Sequence, residues 1–342
     1  MAPITFKPKQ ATKRLLAELS ERAQEILIRR YGLGFDAKKM TLESIGQKYK
    51  ITRERVRQIE NYALSAIRKS DAFGNEQETF DELESLITTL GGLISEDEFL
   101  DYISEEKSIQ NNIHFLLVLG NAFKRAKEDS EFKHRWFVDD ELVKRIHASL
   151  QTLYRNLTDD DLIIESELIE LFLKEIKDLN QKYKNEEIVR RWFNVSKKLG
   201  INPLGEWGRA DSSNVRVKGM RDYAYLTIKR HGSPMHFTEV AKAISNIFHR
   251  NAHIATCHNE LIKDARFVLV GRGLYALSEW GYTTGVVKDV IMDILKVNGS
   301  LTRDEIVDKV RNERYVKDNT IIVNLQDSTC FRRNKSGKYT LV

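Results

Sequence analysis

Between residues 40 and 70 the apolar positions fall into two short helical runs separated by a polar turn. Leu42, Ile45 and Tyr49 give the first run one apolar side, and "KYKIT" interrupts it. Val56, Ile59, Ala63 and Ile67 then recur at three- and four-residue steps, which predicts a second helix with a buried stripe. Thr41 and Thr52 stand where each helix would begin, and a threonine hydroxyl there caps a free backbone N–H. Glu43 sits in the first turn, where the helix dipole favours an acid. At about 100° per residue, the face opposite the second stripe collects Glu54, Arg57, Gln58 and Asn61. Arg53 lies at its edge and Arg55 on a flank. This is the pattern of a helix-turn-helix.

A different pattern repeats along the rest of the chain. Four segments share an apolar residue, three variable residues, then glutamate and another apolar residue. They are Ile94–Glu98–Phe99, Ile163–Glu167–Leu168, Met235–Glu239–Val240 and Leu301–Glu305–Ile306, with glutamates 69, 72 and 66 residues apart. An apolar helix precedes each, as in "FDELESLITTL", and a second helical run follows, as in "NNIHFLLVLG". Each unit closes with an aromatic, strand-like tail: "EFKHRWFV", "NPLGEWG", "RFVLVGRGLYALSEWG" and "CFRRNKSGKYTLV". Helices followed by a terminal hairpin describe a winged helix. Trp136, Trp207 and Trp280 are then expected to anchor the hairpins in their cores, and "LGEWG" at 204 echoes "LSEWG" at 277.

The expected fold class is mainly α, a helix-turn-helix head followed by tandem winged-helix-like units with short β-hairpin wings. The expected divisions are 1–75 for the head, then 76–138, 139–212, 213–283 and 284–342 for the units. Proteolytic cuts are expected between units, near 70–78, 139, 208–214 and 283.

Charge divides the chain in three. Residues 1–75 carry 16 Lys/Arg against 8 Asp/Glu, residues 76–211 carry 18 against 29, and residues 212–342 carry 21 against 13. Basic ends suit a polyanion, whereas the acidic middle would repel one and suits a protein partner. No apolar stretch approaches the roughly 20 residues that span a bilayer, and the N-terminus lacks a signal-peptide core. Cys257 and Cys330 have no partner nearby in sequence and suggest reduced thiols in a cytoplasmic protein.

Catalytic motifs are missing. There is no Cys-x-x-Cys pair, no His-Glu-x-x-His and no Gly-x-x-x-x-Gly-Lys loop. Cys257 and His258 are adjacent and so would point about 100° apart on a helix, which suits a structural pair better than a metal site. "DDD" at 159–161 is expected to be a solvated loop, with magnesium binding the weaker alternative. No enzyme activity, cofactor or metal is expected.

"TLESIGQKYKITRERVRQIENYAL" resembles the fourth conserved region of primary bacterial sigma factors, and "RAQEILIRRYGLG" resembles the helix before it. The resemblance covers about residues 14–70. It implies that Arg53, Glu54, Arg57 and Gln58 read base edges and that Arg55 contacts phosphate. Independently, Arg can pair guanine, Gln adenine and Glu the cytosine amino group. The same region of sigma grips the flap of the polymerase β subunit. Only a short basic arm precedes it here, so this chain is not expected to melt promoters by itself. Residues 215–282 resemble the HARE-type helix-turn-helix domain, which occurs in the delta subunit of bacterial RNA polymerase.

The function expected is a DNA-binding transcription regulator that recognises promoter-like double-stranded DNA and associates with RNA polymerase core. The alternative is an interaction scaffold whose head occupies the polymerase flap without binding DNA. Candidate DNA-binding residues are Thr41, Thr52, Arg53, Glu54, Arg55, Arg57, Gln58 and Asn61. Candidate phosphate contacts in the later units are Lys263, Arg266, Arg272, Lys317, Arg332, Arg333, Lys335 and Lys338.

Overall fold

Thr41 and Thr52 cap the two helices that the periodicity predicts. The Thr41 hydroxyl accepts from Ser44 N at 3.1 Å, and that of Thr52 accepts from Arg55 N at 3.1 Å. The computed structural model describes residues 4–282 and 285–342. In the head, α1 (Pro8–Leu16) and α2 (Glu21–Tyr31) precede α3 (Leu42–Tyr49) and α4 (Arg53–Arg68). Ile26, Ile45 and Val56 form a small fully buried core, with Met40, Leu42, Tyr49 and Ile51 packed around it.

The turn between α3 and α4 is tight. Lys50 adopts a left-handed conformation (φ 55°), and Ile51 N donates to Gly46 O at 2.9 Å. A Cβ on Gly46 would lie 2.7 Å from Ile51 O, so only glycine lets the turn close this far.

The core does not stop at the expected boundary of 75. Two more helices, α5 (Asp71–Asn75) and α6 (Gln77–Thr89), run through it. Glu76 is 4% exposed and pairs with Arg14. Leu15, Leu27, Ala63 and Ile67 of the head share one cluster with Phe80, Leu83, Phe115 and Leu119. The segment 70–78 is therefore mostly helical and anchored at the buried Glu76, which disfavours the cut expected there.

The repeat unit is visible four times. After α6 come β1 (Leu93–Ser95), α7 (Glu96–Ile103), α8 (Lys107–Leu119), β2 (Lys124–Ala126) and β3 (Arg135–Phe137). The second copy is α9 (Asp140–Asn156), β4 (Ile163–Ile164), α10 (Glu165–Glu175), α11 (Glu186–Val195), β5 (Leu199–Ile201) and β6 (Glu206–Arg209). The third is α12 (Met220–His231), β7 (Met235–His236), α13 (Phe237–Phe248), α14 (Ile254–Lys263), β8 (Phe267–Gly271) and β9 (Leu274–Leu277). The fourth is α15 (Val287–Asn298), α16 (Arg303–Glu313), α17 (Asp318–Leu325), β10 (Phe331–Arg333) and β11 (Tyr339–Leu341). Strand orders are β1-β3-β2, β4-β6-β5 and β7-β9-β8. In the fourth unit a single bridge, Leu301 to Tyr339, stands for the first strand beside β11 and β10.

The four glutamates occupy one place. Glu98, Glu167, Glu239 and Glu305 are each the third residue of their unit's second helix. Phe99, Leu168, Val240 and Ile306, one residue on, are all 0% exposed. Mainly helical, with small antiparallel sheets, the fold is a helix-turn-helix head followed by winged-helix-like units.

Contacts divide the chain into two compact bodies, residues 1–200 with 207–210, and residues 201–206 with 211–342. One hairpin expectation needs correction. Trp136 and Trp207 are each 2% exposed on β3 and β6, but Trp280 lies in a 3₁₀ turn after β9 and is half-buried. Tyr275, opposite Met235 and 3% exposed, takes the anchoring place in the third unit. The shared letters "EWG" misalign the two hairpins. The expected boundary and cut at 283 fall outside the described residues.

Candidate nucleic-acid interface

The buried side of α4 fixes what its other side presents. Val56, Ala63 and Ile67 are 0% exposed, and Ile59 is half-buried. Glu60 is also buried, where its carboxylate accepts from Tyr31 Oη at 2.9 Å and lies 3.4 Å from Arg30 Nε. Desolvation, then the Glu60 carboxylate, pushes the Tyr31 phenol far up, so it stays a donor at any ordinary pH. From α2, Arg29 reaches Tyr49 Oη on α3 at 3.0 Å and Glu25 at 2.8 Å. The helix is thus held from behind by apolar packing and a polar clamp.

Arg53, Glu54, Arg55, Arg57, Gln58 and Asn61 are all exposed on the front of α4. Arg57 donates twice to Glu54, at 2.9 and 2.7 Å, and the hydrogen bond from Arg57 holds the Glu54 carboxyl below its ordinary range. Arg55 donates to Gln58 Oε1 at 3.1 Å. These exposed pairs are cheap to open, and both keep donors and acceptors on one ridge. Thr41 and Thr52 are exposed too, with their hydroxyls already engaged as caps.

The basic arm is not a free tail. Within α1, Lys9 pairs with Glu106 at 2.7 Å and Arg14 with Glu76, both acids of the following unit.

The later candidates divide. Lys263, Arg272, Lys317, Arg332, Arg333, Lys335 and Lys338 are exposed. Arg266 is drawn inward, 2.9 Å from Asp222 and 2.7 Å from Asp264, with its guanidinium over Tyr225. Its role is structural, because two carboxylates already neutralise it.

Neither chemical alternative gains a cluster. Burial pushes the Cys257 thiol up to about 11, and His258 stacks on Phe237 at 4.2 Å. Asp159 pairs with Arg209 at 3.0 Å. Among the described residues no group of three His, Cys, Asp or Glu is placed to hold a metal, and no helix is long and apolar enough to cross a membrane.

Sequence reading missed three positioning residues. Gly46 closes the turn, Glu60 clamps α4 from behind, and Asn111 on α8 grips the loop before α3. A glycine before a short turn was the only local signal among them.

Comparison with known proteins identifies the head. The family "Sigma-70, region 4" matches residues 15–69. The chain is 50% identical over 54 residues to RNA polymerase sigma factor SigA1 of Synechococcus elongatus, 16% of this chain and 13% of that protein. It is 48% identical over 56 residues to SigA of Nostoc sp., 16% of this chain and 14% of that protein. Against RpoS of Coxiella burnetii it is 48% identical over 56 residues, 16% of each. The chain thus spans only a small fraction of these relatives' length. Residues 15–69 form a sigma-70 region 4 domain.

Proposed function

We propose that the chain is a sequence-specific transcription regulator that binds promoter-like duplex DNA through α4 and associates with RNA polymerase. The observation that carries this reading is the exposed ridge Arg53–Asn61, borne on a helix whose back packs into the core through Val56, Ala63 and Ile67, within the segment matched as sigma-70 region 4. On this reading Arg53, Glu54, Arg57 and Gln58 meet base edges, Asn61 lies beside them, and Arg55 contacts phosphate. Thr41 and Thr52 aim the N-termini of α3 and α4 at the backbone.

Residues 213–283 are proposed as a HARE-type module, supported by the α12–α14 helices and the β8–β9 hairpin. The proposed functional divisions are 1–75, 76–138, 139–212, 213–283 and 284–342, although the first two share a core. The regulator works in the cytoplasm, where its DNA and polymerase partners are, and performs no catalysis.

The test is selection of bound duplexes from a random pool, beside a pull-down of core polymerase. A selected motif that relaxes at one base pair in Arg57→Ala and at another in Gln58→Ala is the expected result, at about 1–3 kcal/mol each. Polymerase capture without any selected motif would favour the scaffold that occupies the flap.

A further inference from the structure

We infer that the C-terminal unit, residues 285–342, is a second duplex-binding element that grips phosphates with its wing. The inference deepens the DNA-binding reading and rests on it for the choice of polyanion. The four units share a topology, but their third helices have different surroundings. In the first unit α8 is sealed, with Gln110, Asn111, Asn112, Ile113 and Leu116 all buried, and it packs on α1, α2 and α4. In the second, α11 packs on β1, with Trp192 fully buried and its Nε1 donating to Gly91 O at 3.2 Å. The surface of α8 is spent on stacking, and the face that α11 leaves exposed carries Glu186 and Glu187, acids that a duplex repels.

The fourth unit keeps its third helix open. Asn319, Thr320 and Val323 of α17 are exposed, beside Lys317 at its N-terminus. Its charges are sorted as well. Lys288, Lys296, Arg303 and Arg311 pair with Asp327, Asp293, Asp304 and Asp318. No ion pair among the described residues engages Arg332, Arg333, Lys335 or Lys338, which crowd within seven positions on the β10–β11 hairpin. By contrast the third unit's wing bears Arg272, while its Arg266 is neutralised from both sides.

Like charges so close repel one another, and a polyanion relieves that repulsion. An open helix that offers Asn319 and Thr320, with a basic hairpin in the same unit, matches a duplex, whose groove admits the helix while the flanking phosphates meet the wing. Two separated contacts on one chain raise affinity by effective concentration, without either needing to be strong.

The test uses the full chain and a duplex of about 40 base pairs bearing the selected site, beside a scrambled duplex, in a salt series. The triple variant Arg332→Gln, Lys335→Gln, Lys338→Gln avoids Arg333, which donates to Gly337 O and lies over Tyr339. It should weaken both duplexes alike, about tenfold or more, and flatten the log–log salt slope by about 0.9 for each phosphate no longer neutralised. Arg57→Ala should weaken the selected duplex alone. Unchanged affinity and slope in the triple variant, while Arg57→Ala loses preference, would overturn the wing and spare the head. Loss of preference in neither would sink the head's reading instead. A triple variant that keeps duplex binding but loses single-stranded RNA or core polymerase would also overturn it. A melting curve checks the fold, and Lys335→Glu alone, at the exposed turn, gives the same readout if the triple variant melts early.

Discussion

The carboxamide of Asn111 donates to two backbone carbonyls of the head at once, Gly32 O at 3.0 Å and Ala37 O at 2.8 Å. Asn111 is 1% exposed on α8, in the first winged-helix unit, while both carbonyls belong to the loop that delivers α3. Asn111→Leu strands two carbonyls, and leaving a buried polar group unmade costs about 1–3 kcal/mol. Urea unfolding should show a loss of that order, and DNA affinity should fall with it although α4 is untouched.

Two glycines should respond oppositely to one methyl group. Gly46→Ala places Cβ 2.7 Å from Ile51 O, whereas a Cβ at Gly74 meets nothing within 4 Å. Gly46→Ala should open the turn, lower the melting temperature and abolish preferential DNA binding. Gly74→Ala, inside α5, should leave binding intact and add about 0.5–1 kcal/mol of stability.

The repeated glutamates should separate by sign. Burial raises the Glu98 carboxyl above its ordinary 4.5, while hydrogen bonds from the Thr302 backbone and side chain lower that of Glu305. A carboxyl raised in the folded state contributes stability below its unfolded value, lost as pH rises through the folded value. Glu98→Gln should therefore raise the unfolding midpoint at pH 7, with no gain near pH 4. Glu305→Gln should lower it at pH 7, because it removes the charge from a cap whose carboxylate accepts from Thr302 N at 2.7 Å. Equal effects of one sign would contradict this.

Two histidines should make the first body sensitive to mild acid. Burial pulls both His114 and His147 down to about 4, against an ordinary 6.5. As pH falls below 6.5 the unfolded chain takes up protons that the folded chain refuses, so stability is lost between pH 6.5 and 4. The slope approaches about 1.4 kcal/mol per pH unit per histidine. Urea midpoints at pH 7, 6 and 5 measure it; the His147 ring stacks on Phe132 at 4.1 Å, and His147→Phe, which can keep that stack, should remove about half.

Much of this was legible in the sequence where one residue's neighbours are local. The helix caps at Thr41 and Thr52, the stripe Val56–Ala63–Ile67 and the four glutamates all depend on neighbours within a few positions, so periodicity finds them. Partnerships across long separations were not legible. Nothing beside Asn111 announces Gly32, 79 residues away, and nothing beside Arg266 announces Asp222, 44 away. Arg266 therefore read as a surface cation. The continuity of the core across residue 75 was hidden for the same reason: Leu15 and Leu27 look like a small domain's own core until Phe80 and Phe115 join them.

That shared core has a mechanical meaning. A recognition helix on a slack tether can tumble to fit its site, and the rest of the chain learns nothing of how it landed. Here α4 is bolted through Ile67 to Phe80 and Phe115, and Arg68 clasps the end of α8 at Leu119 O. The first body is a handle. With α4 seated in a groove as proposed, the angle imposed on it becomes the heading of the acidic units packed behind it, and the core decides which way the handle points.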